Sequence, residues 1–290
     1  MGELIKAENL SLKYKKEYVL KDVTFSLEKG MVYGLLGRNG AGKTSLLSIM
    51  ASLQRPTSGT LTIDGENPFE NSRIMQRVSY IYDRDYKDDS TPVKEILEMA
   101  ERYRPDFDRE YAEYLMQKFE LPPDKPVKKL SKGKQSALNI TVGLASRSPL
   151  TIFDEAYLGM DAPARELFYR ELLEDREKDP RTFFLSTHLV SEMDYLFDEV
   201  LILHKGKLLL HEDYETFISK GTTVTGEAEK VDGFVRGKEV LNEQQLGPVK
   251  SVMIFGRLSD REKETAEAIG LELGPVKLQD LFIHLTEERK

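Results

Sequence analysis

Apolar positions change their period several times along the chain, and the changes mark out its elements. Residues 3–28 alternate short apolar and polar stretches ("LIKAENLSLKY", "YVLKDVTFSLEKG"), which predicts antiparallel strands. "MVYGLL" is a compact apolar run that reads as a buried strand. It leads through a Gly-rich stretch into "TSLLSIMASL", whose apolar spacing is helical. "GTLTIDGE" reads as a strand and turn, and "RVSYIYD" as another strand.

Over residues 92–121 the pattern becomes helical. "VKEILEMAERY" and "REYAEYLMQKF" are separated by Pro105 and stopped by "LPPDKP", and residues 131–146 predict a third helix. Strand then alternates with helix through "LTIFDE", "APARELFYRELLEDREK", "TFFLSTH", "EMDYLF", "EVLILH" and "GKLLLH". Such alternation predicts an α/β fold with a largely parallel sheet covered by helices. The composition loosens after Gly221. A smaller α/β unit is expected over 221–290, with strands near "TTVTG" and "KSVMIFG" and helices near "DREKETAEAIG" and "LQDLFIHLTEER". The expected division is therefore 1–220 and 221–290, with a helical subdomain at about 90–148.

The strand–loop–helix around residues 31–53 carries the most specific motif. "GRNGAGKT" (Gly37, Arg38, Asn39, Gly40, Ala41, Gly42, Lys43, Thr44) fits G-x-x-x-x-G-K-[ST] between a strand and a helix, the context of a P-loop. Its glycines let backbone N–H groups surround phosphate oxygens, and the helix that follows, with Ser45 in its first turn, directs its positive end at them. Lys43 is the expected counter-charge to the β- and γ-phosphates, and Thr44 an expected Mg²⁺ ligand. A dinucleotide G-x-G-x-x-G reading fails, because Ser45 stands where the third glycine belongs.

"LTIFDE" is an apolar strand ending in two carboxylates, a costly place for unpaired charge. Asp154 fits a Mg²⁺-coordinating acid and Glu155 the group that polarises an attacking water. "FFLSTH" ends a further strand at His188, where α/β sheets bind ligands.

Composition narrows the partners. A formal net charge of −8 disfavours a general nucleic-acid binder. No cysteine is present, so disulfides and thiolate metal sites are excluded, and the four histidines show no metal-ligand spacing. The start lacks the apolar core of a signal peptide, and no apolar run approaches the roughly 18–20 residues of a membrane span. A cytosolic location is expected, with any membrane role exercised through a partner.

One basic cluster stands out from this acidic background: Lys128, Lys129, Lys132 and Lys134 in "KKLSKGKQSALN", at the start of the third helix. Lysines there are disfavoured by about 0.3–1 kcal/mol, a cost that a bound anion would offset.

These motifs, in this order, resemble the ATP-binding cassette (ABC) ATPases, over roughly residues 3–215. The resemblance implies a P-loop NTPase core with an N-terminal antiparallel subdomain and a helical subdomain. In that family a motif usually written LSGGQ faces the γ-phosphate of ATP held by the opposite subunit. Leu130, Ser131, Lys132, Gly133 and Lys134 fit it at the first, second and fourth positions, and the lysines then read as counter-charge to a triphosphate delivered in trans. Tyr14, with Tyr18 as the other candidate, matches the aromatic that stacks on adenine. His188 matches the histidine at the γ-phosphate, and "LGMD" matches a loop that communicates between subunits. Two motifs depart from the pattern. Asp83 stands where a Gln normally touches Mg²⁺ and the attacking water, which predicts extra negative charge and altered Mg²⁺ dependence. Lys132 and Lys134 replace Gly and Gln.

The resemblance implies an ATPase that uses ATP and Mg²⁺, with Lys43, Glu155 and His188 catalytic and Thr44, Asp83 and Asp154 at the metal. It would pair with a second cassette, in a homodimer or heterodimer, and drive a separate membrane permease from the inner face of the membrane. The bacterial antibiotic-resistance and drug-export cassettes are the most similar type, which implies export. The other reading is a regulatory cassette that binds ATP but needs a different partner for hydrolysis.

Overall fold

The computed structural model describes residues 2–188 and 190–287. β1 (Glu3–Tyr14) and β2 (Glu17–Glu28) form a hairpin, β3 (Val32–Leu36) leads into α1 (Lys43–Met50), and β4 (Ser58–Ile63) returns to pair with β1. After α2 (Ser72–Met75) and β5 (Val78–Tyr82) comes a helical layer of α3 (Val93–Tyr103), α4 (Arg109–Lys118) and α5 (Lys132–Ala145). The chain continues through β6 (Leu150–Asp154), α6 (Ala162–Lys178), β7 (Thr182–Thr187), α7 (Val190–Met193), β8 (Glu199–His204), β9 (Lys207–Asp213) and α8 (Tyr214–Ile218).

The central sheet has six strands in the order β5-β6-β7-β3-β8-β9, parallel except for β9. β3 lies inside it, and its side chains divide between two cores. Tyr33 and Leu35 join Leu46, Leu47 and the antiparallel β2-β1-β4 sheet, whereas Val32 and Leu36 join the core shared with α5 and α6. That two-sided burial is why "VYGLL" is apolar without alternation. Register then sets the site. Leu36 pairs with Thr187, Asp154 with Ser186, and Tyr82 with Asp154. The residues just beyond these strands, Gly37, Asp83, Glu155 and His188, therefore emerge along one edge.

A buried charge network fastens the helical layer to the core. The Asp175 carboxylate on α6, almost wholly buried, is met by the guanidinium groups of both Arg147 and Arg181. Arg147 also holds Asp108 at 2.8 Å, and Asp108 caps α4 by accepting from the Tyr111 N–H at 2.9 Å. Burial alone would push the Asp108 carboxyl up, but the Tyr111 N–H and the Arg147 charge outweigh it and hold the group below the ordinary carboxylate range. Nearby, Tyr111 and Tyr114 donate to Glu171 at 3.3 and 3.0 Å.

The C-terminal unit comprises β10 (Gly221–Glu227), α9 (Ala228–Val235), β11 (Glu239–Leu246), β12 (Val249–Phe255), α10 (Asp260–Ala268), β13 (Glu272–Gly274) and α11 (Leu278–Thr286). Its sheet is antiparallel in the order β11-β12-β10-β13, around a small core of Val224, Val231, Val252, Ile254 and Leu271. Here the structure exceeds the sequence reading: α9 and β11 were not expected. β11 is exposed along almost its whole length, so it lacks the two-residue period that marks a strand. The stretch "EMDYLF" is not one helix but the end of α7 and a 3₁₀ turn at Asp194–Leu196. α11 leaves the C-terminal sheet and buries Leu278, Leu281 and Phe282 in the main core beside Val190, Met193 and Phe197. Among the described residues no helix is long and apolar enough to cross a membrane.

Candidate functional site

The edge where β3, β5, β6 and β7 end encloses a cleft of about 470 Å³, lined by the loop between β3 and α1 together with Tyr80, Tyr82, Asp83, Asp154 and Glu155. The loop's path depends on glycine. Gly42 has φ +106°, and a Cβ there would stand 2.8 Å from the Val19 carbonyl oxygen. As the N-cap of α1 it offers no side-chain acceptor, so the first-turn N–H groups of the helix remain for a ligand in the cleft.

Lys43 is buried, at 7% exposure, yet its ammonium is satisfied. It donates to the Gly37 carbonyl at 2.7 Å and lies 3.4 Å from Glu155 Oε1. His188 Nδ1 approaches the same Glu155 oxygen at 3.2 Å. One carboxylate therefore bridges the loop lysine and the strand-end histidine. Glu155 has φ +49°, a left-handed conformation that costs a non-glycine residue of order 1–3 kcal/mol and is typical of functional sites.

Asp154 is held more rigidly. Tyr80 donates to its Oδ2 at 3.0 Å and Ser186 to its Oδ1 at 2.5 Å. The Tyr80 phenol pKa is raised, by burial and then by the Asp154 charge, so the group stays a donor. Its ring stacks on Tyr82 with centroids 5.2 Å apart. Neither Tyr80 nor Ser186 was expected at the site. The signal was available for Tyr80, since the alternation of "VSYIY" puts it on the same face as Tyr82. Thr44 and Asp154 line the same cleft and offer only oxygen donors, a set that suits Mg²⁺.

The expected residues do not all come together. Asn39, Gly40, Ala41, Gly42, Lys43, Thr44, Ser45, Asp83, Asp154 and Glu155 share the cleft, with His188 joined through Glu155, whereas Arg38 borders a neighbouring cavity with His204. Ser131, Lys132 and Gly133 line a second cavity of about 490 Å³ with Gly159 and Asp161. Tyr14 is brought to neither. It stands half-exposed at the tip of the β1–β2 hairpin, while the cleft reaches only Val19 on that side. Tyr18 is also half-exposed, with the Lys13 ammonium 4.3 Å from its ring centroid.

Two of the four clustered lysines, Lys132 and Lys134, have partners within the chain. The Ser131 hydroxyl caps the helix by accepting from the Lys134 N–H. The Lys134 ammonium donates to the Phe119 carbonyl at 2.5 Å and lies 3.4 Å from Glu120. The Lys132 ammonium is paired with the carboxylate of Asp83, whose charge is thus compensated from the helical layer rather than simply added to the cleft.

Comparison with known proteins agrees with this geometry. The family model for ABC transporters matches residues 20–158. The ABC transporter ATP-binding protein YtrB of Bacillus subtilis is 28% identical over 289 residues, with 97% of each chain covered. The bacitracin transport ATP-binding protein BcrA of Bacillus licheniformis is 32% identical over 213 residues, which cover 72% of this chain and 69% of that protein. A solved ATP-binding subunit of an ABC transporter matches with a TM-score of 0.66 and 26% identity, over 74% of this chain and 91% of its own.

Proposed function

Because the chain belongs to the ATP-binding subunits of ABC transporters, a family of ATPases, we propose that it closes with a second cassette around ATP and drives a separate membrane permease, as an exporter. The observation that carries the reading is the shared contact of Lys43 and His188 on one oxygen of Glu155. It joins the phosphate-binding loop, the base and the histidine in one unit.

ATP phosphates compete with Glu155 and the Gly37 carbonyl for the Lys43 ammonium, while the loop and first-turn N–H groups of α1 accept the phosphate oxygens. Transfer of Lys43 to phosphate frees the Glu155 carboxylate to orient and deprotonate the attacking water. His188, half-exposed at the cleft edge, faces the same reacting oxygens. Thr44 and Asp154 would hold Mg²⁺, which when bound neutralises charge between the β- and γ-phosphates. Tyr80 and Ser186 keep Asp154 in place for it. The second cavity, at the start of α5, serves the nucleotide of the opposite subunit.

Likeness to the bacitracin transport relative supports a drug-type cargo. The acidic charge of −8 supports the absence of a nucleic-acid partner. Attachment to the inner membrane face follows if the permease is the anchor. Light scattering on the Glu155→Gln variant tests the central claim. An ATP-dependent doubling of mass is the expected result. A variant that binds Mg-ATP and stays monomeric overturns self-pairing, and retained nucleotide binding in Lys43→Ala overturns the loop assignment.

A further inference from the structure

Two of the residues that depart from the family pattern, Asp83 and Lys132, are 49 residues apart in sequence and in contact in the fold. Asp83 lines the cleft that holds Lys43 and Thr44, and Lys132 lines the second cavity. The Lys132 stem also has a fixed path. It lies over Gly159, where a Cβ would come 2.8 Å from its Cγ, and Gly133 packs against the Gly159 carbonyl so closely that a Cβ would stand 2.7 Å from that oxygen. Only the absence of side chains at Gly133 and Gly159 lets the start of α5 settle onto the loop that follows Glu155. That arrangement aims Lys132 away from its own helix terminus and across to Asp83.

We propose that Asp83 and Lys132 form one compensated positioning pair that links the two cavities of a single chain. Lys132 cancels the charge that Asp83 would otherwise present to the phosphates in its own cleft, and Asp83 fixes where the lysine of the α5 start points. The pair rests on the reading of the cleft as the nucleotide site. It carries a consequence that a lysine acting only on the opposite subunit's nucleotide does not: removing Lys132 weakens binding of the nucleotide held by the same chain. Both side chains are about half-exposed, at 48% and 44%, so solvent screens the effect without abolishing it. An uncompensated carboxylate lining the same watery cleft as a bound triphosphate should weaken affinity by roughly three- to tenfold.

The test is equilibrium binding of a fluorescent ATP analogue to monomeric protein, for the wild type, Lys132→Gly, Asp83→Gln and the double variant. Lys132→Gly should bind three- to tenfold more weakly, and adding Asp83→Gln should restore affinity to within twofold of the wild type. Lys132→Gln serves as a second single variant if glycine frays the helix, with circular dichroism as the check on folding. Unchanged affinity in both single Lys132 variants overturns the pair, as does a loss that Asp83→Gln does not rescue. Failure of the wild type itself to bind nucleotide would instead strike the nucleotide-site reading, which separates the two claims.

Discussion

Tyr80→Phe removes one oxygen from the site and leaves the ring, the strand and every motif residue in place. The lost atom is the donor, at 3.0 Å, to Oδ2 of Asp154, a carboxylate only 7% exposed. A hydrogen bond to a charged partner is worth about 1.5–3 kcal/mol. The lower end applies, because Ser186 still donates to Oδ1 at 2.5 Å and the cleft admits water to the vacated position. If about 1.4 kcal/mol of that is lost from the transition state, hydrolysis slows about tenfold. The loss should fall on kcat and on the Mg²⁺ requirement, with ATP affinity little changed, since Tyr80 steadies Asp154 rather than the phosphate loop. Burial and the Asp154 charge keep the phenol protonated well above its ordinary range, so the deficit should be flat across about pH 6–9. Steady-state phosphate release at varied Mg²⁺ and pH is the assay. Full kcat at every Mg²⁺ concentration, or a deficit that appears only at high pH, would refute the positioning role.

Three further outcomes concern what holds the frame. Arg181→Met removes one of the two cations on buried Asp175, and breaking such a contact costs about 3 kcal/mol even with Arg147 retained; a urea-unfolding loss below about 1 kcal/mol would contradict it. Asp108 has its carboxyl held below the ordinary range, so its contribution is complete at neutral pH and disappears as pH falls through the folded value. Asp108→Asn should therefore be less stable than the wild type at neutral pH and lose less on acidification below about pH 4, and parallel acid-unfolding curves would exclude that. In the C-terminal unit, Ser259→Ala breaks the capping box with Glu262 at the start of α10 and should cost about 1 kcal/mol by thermal or chemical unfolding; an unchanged midpoint would deny the cap its weight.

The parts of the site that were legible in the sequence are those whose chemistry and location are local. "GRNGAGKT" between a strand and a helix, and acids or a histidine at strand ends, place Lys43, Glu155 and His188 without knowledge of the fold, and the parallel register brings them together. The basic cluster was legible only as charge. Whether Lys132 meets an external phosphate or an internal carboxylate is decided by the packing of α5 against the end of β5, and nothing local encodes that contact. Tyr14 is legible as a hairpin-tip aromatic, and its half-exposed ring stands outside the lining of the cleft. In the tail, α9 contains Gly233 and is short, and β11 exposes both faces, so neither element carries a periodic signal strong enough to read.

The path of α11 changes what counts as the catalytic body. Its apolar face packs in one core with Val190 and Met193 of α7 and with Phe197, and its last residue, Thr286, shares a cavity of about 210 Å³ with Arg38, Asn39 and Gly40. A protein cut at residue 220, where the composition changes, would lose this helix and expose Val190, Met193 and Phe197. The C-terminal sheet is thus tethered to the engine by its own final helix. Displacing that sheet would pull on the helix whose last residue borders Arg38, Asn39 and Gly40.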